Sequence, residues 1–74
     1  MKQLFRGITI DQNVQFGKPV IAGTRVPIAV IVGHVAGGMT VDEVAKEYQL
    51  KREDVLTALA YASKVVAEET IMVR

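Results

Sequence analysis

The stretch Thr40-Val41-Asp42-Glu43-Val44-Ala45-Lys46-Glu47-Tyr48-Gln49-Leu50-Lys51-Arg52-Glu53-Asp54-Val55 decides the fold. Thr40 and Glu43 have the spacing of a capping box. In that device the hydroxyl accepts from the N–H of the third helical residue, and the carboxylate accepts from the N–H of the cap residue. Val41, Val44, Ala45 and Tyr48 then recur at helical spacing on one face, while Asp42, Glu43, Lys46 and Glu47 cover the other. Gln49-Leu50-Lys51 is a turn. A further helix follows from about Arg52 to Glu69, with Val55, Ala58, Leu59, Ala62 and Val66 as its inner stripe. Two amphipathic helices joined by so short a turn predict a helix-turn-helix over Thr40 to about Val66.

Upstream, Pro27 sits where a helix can begin, because its missing N–H would go unbonded in the first turn anyway. Gly37-Gly38 supplies a left-handed stop. The spacing predicts a helix from Pro27 to Ala36. Its residues, Ile28-Ala29-Val30-Ile31-Val32-Gly33-His34-Val35-Ala36, are apolar on every side, and a helix of that kind is buried all round. A small domain cannot surround it. One face is therefore expected on the chain's own core and another on a partner subunit, with Gly33 permitting close approach. Ile21, Ile28, Ile31, Val32 and Val35 are the expected oligomer interface.

Further upstream, Ile8-Thr9-Ile10 alternates as a half-buried strand does, and Asp11-Gln12-Asn13 supplies turn formers. A second extended piece, Val14 to Thr24, contains Pro19, which pushes Lys18 out of the helical region, and Gly23 as a break. These read as a small antiparallel hairpin or arm. Two strands alone are marginal in water, so the arm must lie on the helices or pair with another chain. The expected fold is mainly α: one domain over residues 1–74, with a short β-hairpin or arm over 1–25 and a three-helix, helix-turn-helix unit over 26–74. Thr70 to Arg74 reads as a short apolar tail.

A chain of 74 residues lies near the lower end of what folds alone. It has no cysteine, and a lone His34 cannot assemble a zinc centre, so neither disulfide nor metal is available as a staple. Oligomerisation is the remaining source of stability, and a homodimer or larger oligomer is expected. No stretch approaches the roughly 20 apolar residues of a membrane span, and the amino terminus lacks the apolar segment of a signal peptide. The expected location is cytoplasmic. Net charge is +1, nine basic residues against eight acidic, so any nucleic-acid footprint must be local.

Catalysis needs a nucleophile with a base, a carboxylate pair in a cleft, or a metal cluster. Asp42-Glu43 and Glu53-Asp54 instead sit in first helical turns, where negative charge offsets the macrodipole. The chain is expected not to be an enzyme and to carry no cofactor. The helix-turn-helix is the remaining candidate. Lys51 and Arg52 head the last helix, where basic side chains and free amides suit a DNA phosphate, and they displace the usual Ser, Thr, Asp or Asn cap. Thr57, Tyr61 and Lys64 continue the expected DNA face. Arg25 in the arm joins them as a backbone contact, or else it satisfies carbonyls or a carboxylate locally. The competing reading is a protein-interaction module in which the helix-turn-helix is architectural.

Gly17-Lys18-Pro19-Val20-Ile21-Ala22-Gly23-Thr24-Arg25-Val26-Pro27-Ile28, then Gly37-Gly38-Met39-Thr40-Val41-Asp42-Glu43-Val44, then Glu53-Asp54-Val55-Leu56-Thr57-Ala58-Leu59-Ala60-Tyr61-Ala62, closely resembles the domain-of-unknown-function 433 family. The resemblance implies a small homeodomain-like or winged-helix-like protein of the VapB antitoxin type. Such a protein would silence a toxin with a PIN-like nuclease fold and, as an oligomer, bind its own promoter. The chain departs from the family pattern at Lys51, where a Ser or Thr cap is usual, and at Ala22, often a charged position. With only a short tail after the last helix, toxin contact would use the folded surface or the arm.

Overall fold

The computed structural model describes residues 1–69. Strand β1 (Lys2–Phe5) and strand β2 (Ile8–Ile10) form a hairpin closed by Arg6-Gly7, where Gly7 has φ 84°, a value open to glycine and strained for other residues. Lys2 faces Ile10, Gln3 faces Thr9 and Phe5 faces Ile8, with a bulge at Leu4. Strand β3 (Val20–Ile21) pairs with the other edge of β2, Ile8 opposite Ile21 and Thr9 opposite Val20. The result is a three-stranded antiparallel sheet in the order β1-β2-β3.

Three helices follow: α1 (Ile28–Ala36), α2 (Val41–Glu47) and α3 (Arg52–Glu68). The architecture is mixed α/β rather than mainly α, which corrects the expectation from sequence. The amino-terminal strands are part of the core and not an arm laid over it. Ile8 and Ile21 from the sheet are buried in one cluster with Ile28, Ile31, Val44, Val55 and Ala58 from the helices.

A two-residue strand needs an external reason to hold its place, and Thr24 supplies it. Its N–H and its hydroxyl both donate to the Ile21 carbonyl, at 3.0 and 2.8 Å, and its hydroxyl oxygen accepts from Val26 N–H. Gly23, at φ 78°, completes this turn. Ile21 N–H donates to Val26 and Ile28 N–H donates to Pro19, so Pro19 to Ile28 folds back on itself and delivers the chain directly into α1. The Gly-Lys-Pro to Gly-Thr-Arg-Val-Pro segment is thus the joint between sheet and helices.

Pro27 stands just outside α1 as an extended cap residue, φ −68° and ψ 141°, one position earlier than predicted. At the other end Gly38, φ 109°, makes a Schellman stop: Gly38 N–H donates to Val35 and Met39 N–H donates to His34. Helix α1 is not buried all round. Only Ile28 and Ile31 are fully covered, whereas Ala29, Val30 and Gly33 face outward. The capping box at Thr40 forms in full, Glu43 N–H donating to the Thr40 hydroxyl and Thr40 N–H donating to the Glu43 carboxylate. Helix α2 ends with Gln49 at φ 55°, a left-handed position that costs a residue with a side chain about 1–2 kcal/mol.

A second left-handed segment lies in the loop before β3. Gln15, Phe16 and Gly17 have φ 49°, 57° and 80° in succession. Gly17 N–H donates to Val14 and Lys18 N–H donates to Gln15. Among the described residues no helix is long and apolar enough to cross a membrane. The expected tail, Thr70 to Arg74, lies outside the described residues.

Candidate functional site

The helix-turn-helix is α2, the turn Tyr48 to Lys51, and α3. Its candidate DNA residues are not gathered on one face. Lys51 and Arg52 stand exposed at the head of α3. Lys51 carries no acceptor on its ammonium, so it cannot cap the helix with its side chain. Asp54 makes the other half of the box, its carboxylate accepting from Lys51 N–H at 3.0 Å. That bond offsets part of the missing cap. Arg52 pairs with Asp42 of α2 at 2.6 Å, both side chains well exposed.

Thr57 and Tyr61 correct the expected DNA face. The Thr57 methyl lies against the β1–β2 turn, only 3.4 Å from where a side chain on Gly7 would begin. Tyr61 packs edge-on against Phe5, ring centres 5.7 Å apart. Both therefore point at the sheet. Lys64, one turn later, is exposed and pairs with Glu68 at 2.7 Å. Arg25 is exposed in the Gly23-Thr24 turn, far along the chain from the helix-turn-helix. Period-3.6 reasoning placed Thr57 and Tyr61 on the outer face because it knew of one inner stripe; the sheet takes a second.

The expected oligomer interface is also redistributed. Ile21, Ile28 and Ile31 are taken up by the chain's own core, and only Val32 and Val35, half-buried, remain near the surface. Beside Val32 runs an open apolar groove of about 520 Å³. Ala29, Val32 and Gly33 of α1 form one wall, and Ala62, Val65 and Val66 of α3 form the other. Lys18 and Pro19 sit at its rim.

Charge divides between the halves of the chain. Residues 1–39 hold four basic side chains against one acidic, a net of +3, while residues 40–69 hold four against seven, a net of −3. The helix-turn-helix is therefore the acidic half. This partition was open to a count in the sequence and is hidden by the total of +1.

His34 and Tyr48 share a partly buried hydrogen bond of 2.6 Å. Among the described residues no group of three or more His, Cys, Asp or Glu side chains is placed to hold a metal ion. Glu43 is held below its ordinary pKa, first by the Thr40 N–H and then by the Thr40 hydroxyl, which bond its ionised form.

Sequence reasoning missed Phe16. Among the described residues it is the most exposed large apolar side chain, 95% accessible, on a left-handed backbone. The only signal was an aromatic immediately before Gly17 in a polar loop.

Comparison with known proteins agrees with the segment that joins sheet to helices. The family model described as a protein of unknown function, DUF433, matches residues 8–62. The crystal structure of Rv2018 from Mycobacterium tuberculosis is similar at 29% sequence identity and a TM-score of 0.65, over 70% of this chain and 24% of that one. The chain thus spans about a quarter of that relative's length. No curated protein matches it. By the family match, which runs from the centre of the sheet to the middle of α3, the chain belongs to DUF433.

Proposed function

We propose that this chain is the antitoxin of a type II toxin–antitoxin pair, acting in the cytoplasm as a homodimer or larger oligomer. It holds a PIN-like toxin on its folded surface and docks on its own promoter through the helix-turn-helix. The observation that carries the DNA half is the head of α3, where Lys51 and Arg52 project into solvent. Among the described residues Arg52 is held only by an exposed ion pair with Asp42, which water and salt already weaken and which a phosphate can replace. The contact is of the positioning kind, to phosphate, because Thr57 and Tyr61 are committed to the sheet. Arg25, with Lys2 and Arg6 in the basic half, adds phosphate contacts from a second side.

The test is a titration of the chain's own upstream DNA at rising salt. Each phosphate neutralised contributes about 0.9 to the fall of log K against log salt. A steep slope that Arg52→Glu reduces supports the reading, and undetectable or salt-independent binding removes the DNA half. A second reading is favoured by the charge count: residues 40–69, at −3, repel a polyanion. In that reading the helix-turn-helix is architectural and the chain is a protein-interaction module. It predicts co-purification with the protein encoded beside it and no DNA complex at any salt.

A further inference from the structure

We propose that the face of the sheet turned away from the helices binds a small aliphatic α-amino acid by both of its charges. The strand register defines that face. Ile8 and Ile21 stand opposite each other and enter the core, so the next pair, Thr9 and Val20, projects from the other side. Val20 is only 2% exposed and Thr9 7%, although Val20 lies outside the core cluster. Both line a hollow of about 290 Å³, together with Asp11 and Val14 of one turn and Thr24 and Arg25 of another.

Three groups in this hollow have bonding capacity to spare. The Thr9 hydroxyl makes no hydrogen bond among the described residues, and no fully buried side-chain oxygen there is left unbonded, so this hydroxyl opens onto the hollow. A polar group on so covered a residue is ordinarily bonded. Asp11 commits one carboxylate oxygen to Asn13 N–H at 2.9 Å and keeps the other for a ligand. Arg25 and Asp11 line the same hollow, yet among the described residues they do not pair. The Thr24 hydroxyl, in contrast, is used within its own turn. An anion is drawn to Arg25 and repelled by Asp11, and a cation meets the reverse; a molecule carrying both charges satisfies both. Val14 and Val20 offer an apolar wall for an aliphatic side chain. At about 290 Å³ the hollow lies at the lower end of small-molecule sites, which span about 300–1,000 Å³, and so admits a ligand of amino-acid size.

The probe is L-valine at neutral pH, titrated through the millimolar range into the isotopically labelled full chain and followed by amide chemical shifts. N-acetyl-L-valine and L-valinamide, each lacking one charge, are the controls. Saturable shifts at Thr9, Asp11 and Arg25 are expected, with each control binding about tenfold more weakly. Asp11→Asn keeps an oxygen for Asn13 N–H and should remove the preference over N-acetyl-L-valine. Arg25→Gln should remove the preference over L-valinamide. Thr9→Val should weaken L-valine about tenfold while melting no lower than the parent, because the hydroxyl bonds nothing within the fold. The absence of a saturable shift, equal binding of the three compounds, or a Thr9→Val variant that melts lower and binds L-valine like the parent overturns the proposal. These measurements use neither DNA nor toxin, so their failure is distinct from that of the antitoxin reading.

Discussion

Tyr48, the residue that ends α2, places its hydroxyl 2.6 Å from Nε2 of His34 near the end of α1, with the two rings 5.5 Å apart. The bond ties the first helix to the helix-turn-helix across the glycine stop. Tyr48→Phe keeps the ring and removes the bond. Unfolding in denaturant should show a loss of about 1 kcal/mol. A thermal melt should fall by roughly 4–8 °C.

Ile8 tests whether the strands belong to the core. It is fully buried, opposite Ile21 and in the same cluster as Ile31 and Val55. Ile8→Ala should cost about 2–5 kcal/mol, comparable with Ile31→Ala, and in a chain this small either variant should be largely unfolded. An arm resting on a self-sufficient helical unit would leave Ile8→Ala close to the parent in the same melt.

These two residues also show where the sequence was legible. The helix-turn-helix could be read because each of its signals is local: a capping box at Thr40 and apolar stripes at helical spacing. Strand β3 could be read only as an extended piece within Val14 to Thr24, antiparallel to Ile8-Thr9-Ile10, because two residues carry no period that fixes their bounds. Its position depends on bonds from Thr24 to Ile21 and from Ala22 to Gly7, the latter bringing together residues remote in the chain. The same blindness misplaced Thr57 and Tyr61. A helix with one inner stripe offers them to solvent, but α3 has the sheet on a second side, with Phe5 against Tyr61 and the Gly7 turn against Thr57.

Gln49 occupies a left-handed position at φ 55° that ends α2, where Leu50 N–H donates back to Ala45. Gln49→Gly should relieve the backbone and stabilise the chain by about 0.5–1 kcal/mol after the greater freedom of glycine in the unfolded chain is counted. Gln49→Val should lower stability. Equilibrium denaturation of the three proteins gives the order.

Asp42 restrains Arg52. If Arg52 reaches phosphate, Asp42→Asn should strengthen DNA binding, because the guanidinium no longer has to leave a carboxylate, while the slope against salt, set by the number of phosphates neutralised, stays that of the parent. Fluorescence anisotropy at several salt concentrations measures both. An unchanged affinity assigns Arg52 to the α2–α3 contact alone.

Glu43 gives a pH dependence with a defined sign. Its pKa is lowered in the folded chain by the Thr40 N–H and hydroxyl, so the capping contribution is complete above the ordinary glutamate pKa and is lost as the pH falls through the lowered value. Melts of the parent and Glu43→Gln should differ most near neutral pH and converge in acid. A difference that widens on acidification would contradict the assignment.

The division of charge leaves two halves of opposite sign in a chain of nearly zero total charge. A strongly charged partner acts on the two halves with opposite sign: a polyanion is drawn to Lys2, Arg6, Lys18 and Arg25, and one that approaches α3 must reach Lys51 and Arg52 among the acidic residues of α2 and α3. Encounter rates should therefore respond to ionic strength even where the final complex buries few ions. A total near zero therefore conceals an electrostatic preference that differs between the residues before Met39 and those after it.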